Sequence, residues 1–201
     1  MTSLSHLSKY VESQSGKFFI NDDGIVLSFE PSKENAFIIE DTEVKEIYEY
    51  RTTRSIRTFI VPDGVKGFVS EFMRDTRVIE KFELPNSLLS IGNNSFEIGS
   101  RITCVFADCI LPSVIIPKSV KEIGTFAFGH SWIETLQLPA SLHSPYGRQF
   151  KDSHIGNLVL PKEWENIASL NEHNSLEIRW TNEDLGYLGW PSTTVEKLIF
   201  Y

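Results

Sequence analysis

The stretch that decides the fold is Ile116-Pro-Lys-Ser-Val-Lys-Glu-Ile-Gly-Thr-Phe-Ala-Phe128. Counted from Pro117, apolar residues fall at offsets +3, +6, +10 and +11, and a glycine falls at +7. The pattern recurs, with some losses, from five other anchors, which are Glu40, Pro62, Pro85, Pro139 and Pro161. In chain order the anchors are spaced by 22, 23, 32, 22 and 22 residues. A fixed period of this length, with apolar residues in register, is typical of a solenoid.

A short run of alternating apolar residues precedes each proline anchor. Such runs predict strands, which should end at Val61, Leu84, Ile116, Leu138 and Leu160. Proline ends each strand because it has no N–H to give to a ladder. One strand per repeat makes neighbouring strands parallel, and crossovers of this kind are almost always right-handed. The sequence therefore predicts a right-handed solenoid with one short parallel β-strand per 22–23-residue repeat, an irregular outer face and little helix.

The wording of the unit, Ile-Pro-x-Ser-Val-x-x-Ile-Gly-x-x-Ala-Phe, resembles the BspA-like leucine-rich repeat family. The resemblance covers about residues 36–201 and is most specific in Pro117–Pro139 and Pro85–Phe96. The family's usual unit has a cysteine at +14, where this chain has Ser131 or Ser153. The resemblance implies a leucine-rich-repeat solenoid, and the family's association with surface adhesion and host-protein binding implies a binding module by analogy.

Two segments are predicted along the chain. Residues 1–35 are predicted to form an N-terminal cap, with a short amphipathic helix carrying Leu4, Leu7 and Val11 and a hairpin turning at Asn21–Gly24. Residues 36–201 are predicted to form the solenoid, with an insertion near 98–109 inside the 32-residue spacing. Further strands are expected at Leu176–Trp180 and Val195–Phe200.

Two features of the interior follow from the same register. Phenylalanines at +11 should stack in a buried column, and they are Phe96, Phe128 and Phe150. Cys104 and Cys109 fall in the predicted insertion. We expect two reduced, partly buried thiols, with a local disulfide and a reactive or metal-binding role as the alternatives.

The composition of the chain limits the classes of partner that we expect it to bind. A net charge of -8 and a pI near 5.2 over 201 residues argue against a phosphate-backbone partner. The one local basic cluster, Arg51, Arg54 and Arg57, is interpreted as a solvated loop. No apolar run approaches a membrane span, so no membrane insertion is expected. The start of the chain does not resemble a secretory signal. We expect a cytoplasmic protein by default, or a cell-surface or secreted one if a leader has been removed.

The sequence carries no recognisable catalytic chemistry. It contains no nucleophile elbow, phosphate-binding glycine loop or metalloprotease motif. Its histidines are scattered and interpreted as surface residues, with no zinc set around His130 and His154. No catalytic residue, cofactor or metal is predicted. Two non-enzymatic functions stay open: a module that binds a protein through its parallel sheet, and an intracellular scaffold or self-associating repeat protein.

The candidate site is the row of strand residues two positions before each anchor, which point away from the core. It consists of Ile38, Ile60, Glu83, Ile115, Gln137 and Val159, with Arg179 and Ile199 extending it. Four of the first six are β-branched aliphatics, although a solvated sheet face should be mostly polar. One interpretation is that these residues simply favour strands. The other is an apolar stripe that marks a protein partner, a second copy or a covering segment, with the polar members setting specificity.

Overall fold

Short strands make up nearly all of the regular structure. The computed structural model describes residues 9–36, 54–70, 72–92, 104–142, 148–166, 168–170, 173, 176–179, 187–189 and 193–201. The strands are β1 (Tyr10–Ser13), β2 (Gly16–Ile20), β3 (Ile25–Pro31), β4 (Arg54–Ile60), β5 (Gly67–Phe68), β6 (Thr76–Glu83), β7 (Ser90–Ile91), β8 (Ile110–Ile115), β9 (Glu122–Ile123), β10 (Trp132–Gln137), β11 (His154–Leu160), β12 (Ala168–Leu170), β13 (Leu176–Arg179), β14 (Tyr187–Gly189) and β15 (Thr194–Phe200). Within these residues the only helical segments are the single 3₁₀ turns Lys33–Asn35 and Lys162–Trp164.

The main sheet has six parallel strands in the order β15-β11-β10-β8-β6-β4. Its strands end at or one residue before the predicted positions, because each anchor proline closes the ladder. Short strands on the other side of the coils form a second, narrower row, in which β3 pairs with β5 and β7 with β9, both in parallel. This confirms the predicted repeat solenoid with parallel strands. Its handedness stays a prediction.

The last strand of the main sheet is β15. The predicted strand at Leu176–Trp180 exists as β13, but it lies in a separate three-stranded antiparallel sheet with β12 and β14. The prediction that it continues the row, and carries Arg179 with it, is wrong. The strands of the main sheet need inward residues six, three and one positions before the anchor, a position that Tyr201 occupies after β15. β15 has them at Val195, Leu198 and Phe200, in register with β11, whereas the apolar residues of β13 alternate with period two.

The phenylalanine column is present, with one change of member. The rings of Phe128 and Phe150 are buried and stacked, with centroids 5.2 Å apart and planes at 10°. Phe106 stacks on Phe128 from the other side at 5.3 Å. The place that the sequence assigned to Phe96 next to Phe128 is therefore taken by Phe106, and Phe96 itself lies outside the described residues.

The segment Cys104–Cys109 is part of a regular coil. Met73 N donates to the oxygen of Val105 on one side, and Phe106 N donates to the oxygen of Ala127 on the other. The predicted insertion near 98–109 therefore has to be moved towards the N-terminus, since residues 105–109 follow the period of 22. The extra residues fall within 93–103, which lie outside the described residues.

The N-terminal strands cover the edge of the main sheet. The predicted hairpin is present as β2 and β3, and the Asn21 side chain accepts from the N–H groups of Asp23 and Ile25 in its turn. Val11, predicted to lie in a helix, lies in β1; residues 1–8 are not described. The buried side chains of Ser15 and Asn35 satisfy the outer backbone groups of β4, as Ser15 bonds both polar groups of Ile60 and Asn35 both of Thr58. Edge strands invite unwanted pairing, and these side chains prevent it. The assignment of 1–35 as the cap stays a prediction.

Candidate binding face

The described residues two positions before each anchor lie next to one another on neighbouring strands of the main sheet. Pairing places Ile60 beside Glu83 and joins Ile115, Gln137, Val159 and Ile199 side by side. Among the described residues Ile115 is the most exposed large apolar one, at 56%. Glu83 is also exposed, and the other four members are half-buried. Ile38 lies outside the described residues, and Arg179 belongs to β13, so the outward row is redefined as Ile60, Glu83, Ile115, Gln137, Val159 and Ile199.

An extra residue in β6 breaks the regularity of this face. Ile56 pairs with Val78, but Thr58 pairs with Lys81, so β6 uses one residue more than β4 between the same two points. This bulge accounts for the spacing of 23 rather than 22 residues between Pro62 and Pro85. A bulge bends its strand and increases its twist. It also turns three consecutive residues outward, Ile79, Glu80 and Lys81, all of which are exposed.

The bulge interrupts the ladder between β6 and β8. Their register contains one pair, Arg77 with Ile110, whereas β8 and β10 share five pairs. Within the described residues the two strands share no ladder pair from there to Pro85 and Pro117. A cleft of about 650 Å³ opens at this point on the outward face. Its lining includes three members of the outward row: Ile60, Glu83 and Ile115.

The cleft has an apolar body and an acidic rim. Four prolines line it, Pro62, Pro85, Pro112 and Pro117, together with Ile60 and Ile115 from the outward row. Its charged lining residues are Asp63, Glu80, Lys81 and Glu83. The Lys81 ammonium is already 2.8 Å from the Glu83 carboxylate. Arg57, predicted to lie in a loop with Arg54, is instead on β4 and pairs with Glu80 at 3.2 Å.

Sequence reasoning missed most of this lining. The prolines were used only as strand terminators, and neither Asp63 nor the bulge residues were singled out. The available signal was the one-residue excess in the spacing between Pro62 and Pro85. An extra residue shifts register and interrupts pairing with the next strand only when it lies inside a strand, and the spacing alone does not say that it does.

Cys109 and His154 take structural positions. Burial raises the pKa of the Cys109 thiol to about 12, and the Sγ atom lies 3.0 Å from the oxygen of Met73. A thiol held protonated at neutral pH is a poor nucleophile. In the structure Cys104 and Cys109 are not joined by a disulfide. His154 Nε2 lies 2.8 Å from Glu196 Oε1, which ties β11 to β15. The neighbouring Ser153 hydroxyl is buried and bonded to the oxygen of Phe128.

Comparison with known families agrees with this architecture. The family model of the BspA type leucine rich repeat region matches residues 28–105 and 102–179, with six copies. The chain belongs to this BspA type leucine-rich repeat family. Repeats of this family are generally non-enzymatic folds for protein interaction. No curated protein and no solved structure gave a significant match.

The described residues include neither a metal-binding cluster nor a helix suited to span a membrane. They contain no group of three or more His, Cys, Asp or Glu side chains placed to hold a metal ion. Among them there is also no helix of the length and apolarity that a membrane crossing requires.

Proposed function

We propose that this BspA type repeat protein is a non-enzymatic binding module, and that it presents the outward face of its six-stranded sheet to a protein partner. The observation that carries the proposal is the cleft between β6 and β8. It coincides with three members of the row that the sequence singled out, Ile60, Glu83 and Ile115. A surface adhesion role is the form of this function that the family suggests.

The exposure of Ile115 supports the proposal. A β-branched residue on a solvated strand needs no explanation when it stands alone. Ile115 instead lies in a concave site that it lines together with the half-buried Ile60 and four prolines. Concave, mainly apolar sites with a few polar groups are where binding energy concentrates, because they bury contacts and exclude water.

The outward face is tested with a displayed library of random peptides, selected on the immobilised protein. Selected clones are then measured on Ile60→Ser, Ile115→Ser and the control Leu89→Ser. Leu89 is also an exposed aliphatic residue, 52% accessible, but it does not line the cleft. We expect clones to lose about tenfold or more in affinity on the two cleft variants, a loss of at least 1.4 kcal/mol, and to keep it on Leu89→Ser.

Thermal melts and sedimentation velocity of the same variants complete the test. Unchanged melting with weakened binding supports the proposal, since the side chains then act on a partner rather than on folding. Clones that bind all three variants equally would refute it. Concentration-dependent dimerisation lost in Ile115→Ser would favour the alternative, a self-associating scaffold.

A further inference from the structure

We infer that the cleft takes an extended peptide segment in which an apolar side chain is flanked by lysine or arginine. This inference rests on the proposed function and names the chemistry of its partner. It follows from the charge, the shape and the rigidity of the lining residues.

The charge of the lining selects a cation. The lining contains three carboxylates, those of Asp63, Glu80 and Glu83, and one ammonium, that of Lys81, a net charge of about -2. Arg57, which pairs with Glu80 from outside the lining, reduces the local charge to about -1. Asp63 is exposed and forms no ion pair with another described residue. The chain as a whole carries -8, which reinforces the local field. Complementary charge steers the approach of a partner and selects against partners of the same charge.

The existing ion pairs do not fully neutralise the negative charge of the lining. The partners in the Lys81–Glu83 pair are both about half exposed, at 53% and 49%, and those in the Arg57–Glu80 pair at 59% and 53%. Exposed pairs of this kind contribute little to stability. A partner's ammonium or guanidinium group therefore replaces or joins them at small cost.

The shape selects an extended segment. Ile60, Glu83 and Ile115 lie on three successive strands, so the site spans about 10 Å across the sheet, two strand spacings. An apolar group meets an isoleucine at either end of this span and a carboxylate between them. In an extended peptide, side chains two residues apart lie on the same side, about 6.6 Å from each other. A leucine over either isoleucine places a basic residue, two positions away, near the Glu83 carboxylate on the neighbouring strand. A basic residue on both sides of the leucine allows this contact in either direction of the peptide.

The lining is also rigid, which favours binding of a flexible peptide. Four prolines with fixed backbone angles surround the cleft, and Pro85 and Pro117 are themselves buried. A preformed site does not have to be ordered when the partner binds, so less of the contact energy is lost.

Three labelled synthetic peptides of equal length test the inference by fluorescence anisotropy. Their central five residues are Lys-x-Leu-x-Lys, Glu-x-Leu-x-Glu and Lys-x-Ser-x-Lys, with glycine at x. We expect the first to bind the protein about tenfold or more tighter than either of the others at low salt. The advantage over the glutamate peptide should shrink at about 0.5 M salt because exposed charges are then screened.

Two variants assign the effect to the cleft. The double variant Asp63→Asn with Glu83→Gln should remove most of the preference for the lysine peptide, by about fivefold or more. The control double variant Glu163→Gln with Glu165→Gln removes two exposed carboxylates after β11, outside the cleft, and should leave the preference unchanged. Equal loss in both variants would assign the effect to net charge and overturn the inference.

The outcome is separable from that of the proposed function. Failure of the lysine peptide to bind better than the glutamate peptide overturns the inference, whatever the library yields. If the selected clones still depend on Ile60 and Ile115 but lack basic residues, the proposed function stands and only the assigned chemistry is wrong.

Discussion

The two parts of the six-stranded sheet are built from the same repeat but behave differently. In the part made of β8, β10, β11 and β15, each strand pairs with the next one in the sheet over at least five residues in unbroken register. Between β4 and β6 the register shifts at the bulge, and between β6 and β8 it reduces to one pair. Where the repeats are regular, neighbouring strands pair along their length. The one added residue in β6 interrupts the pairing with β8, and the cleft lies there. The irregular part is therefore where the candidate site lies.

The two parts stay joined on the opposite side of the coils. There Met73 N bonds the oxygen of Val105, and Asp75 N bonds the oxygen of Ala107, as Phe128 N bonds the oxygen of Gln149 in the regular part. Asp75 and Asp108 also share the left-handed backbone conformation of His130 and Asp152 at the same turn position, a conformation that Asp and His adopt more readily than most residues. The opening is thus local to the outward face.

The regular part should depend most strongly on its phenylalanine column. Phe128 is fully buried between the rings of Phe106 and Phe150. Phe128→Ala is expected to lower the free energy of unfolding by about 3–5 kcal/mol, because the stacked coils cannot collapse into the cavity. Urea unfolding checks this. A loss below about 1 kcal/mol, typical of surface sites, would show that the column is not a core.

The sequence predicted the regular part well because a period of 22 fixes both strand ends and core positions. It could not predict the irregular part, for two reasons. The position of Phe106 was hidden by the 32-residue spacing, which made Phe96 the apparent member of the column. The cleft arises from a single extra residue, and a difference of one in the spacing does not reveal whether a strand bulges or a turn lengthens. The last strand was predicted from the sequence at Val195–Phe200, and the structure pairs it with β11 as β15.

Removing the bulge should make the irregular part resemble the regular one. Deletion of Ile79 leaves Val78 and Phe82 with the separation that Ile56 and Phe59 have on β4. The register between β6 and β8 is then expected to extend, and the cleft to narrow. Ile116 N bonds the oxygen of Gln137 on β10, so strand alternation turns the N–H of Ile115 towards β6.

The measurement for this deletion is amide hydrogen exchange. We expect the Ile115 amide to exchange about tenfold more slowly, an increase of about 1.4 kcal/mol in local opening free energy. Ile79 is 43% exposed, so its loss should change the global free energy of unfolding by about 1 kcal/mol or less. Ile79→Ala, which keeps the extra residue, is the control and should leave the exchange rate unchanged. Faster exchange at Ile115 in the deletion variant would contradict a bulge as the cause of the cleft.

The smallest effect is expected where the two parts meet inside the coils. Ser131 and Ser153 donate to the oxygens of Phe106 and Phe128 in the preceding coils, at 2.7 and 2.6 Å. Cys109 occupies the same position in its coil and reaches the oxygen of Met73 across the β6–β8 junction. Cys109→Ser therefore replaces a thiol by the group that the neighbouring coils use. The free energy of unfolding at pH 7 should change by about 1 kcal/mol or less, since the hydrogen bond is kept or strengthened.

The pH dependence separates this variant from the wild type. The folded-state pKa of Cys109 is raised to about 12 from a usual value of 9.0, so its burial contributes stability that is fully present below pH 9. That contribution is lost as the pH rises towards 12, because the unfolded thiol ionises first. Between pH 9 and pH 10.5 the wild type should lose more stability than Cys109→Ser in denaturant unfolding under reducing conditions. Parallel pH profiles of the two proteins would mean that the Cys109 thiol is solvated. Water would then reach the junction between β6 and β8 inside the coils as well as on the outward face.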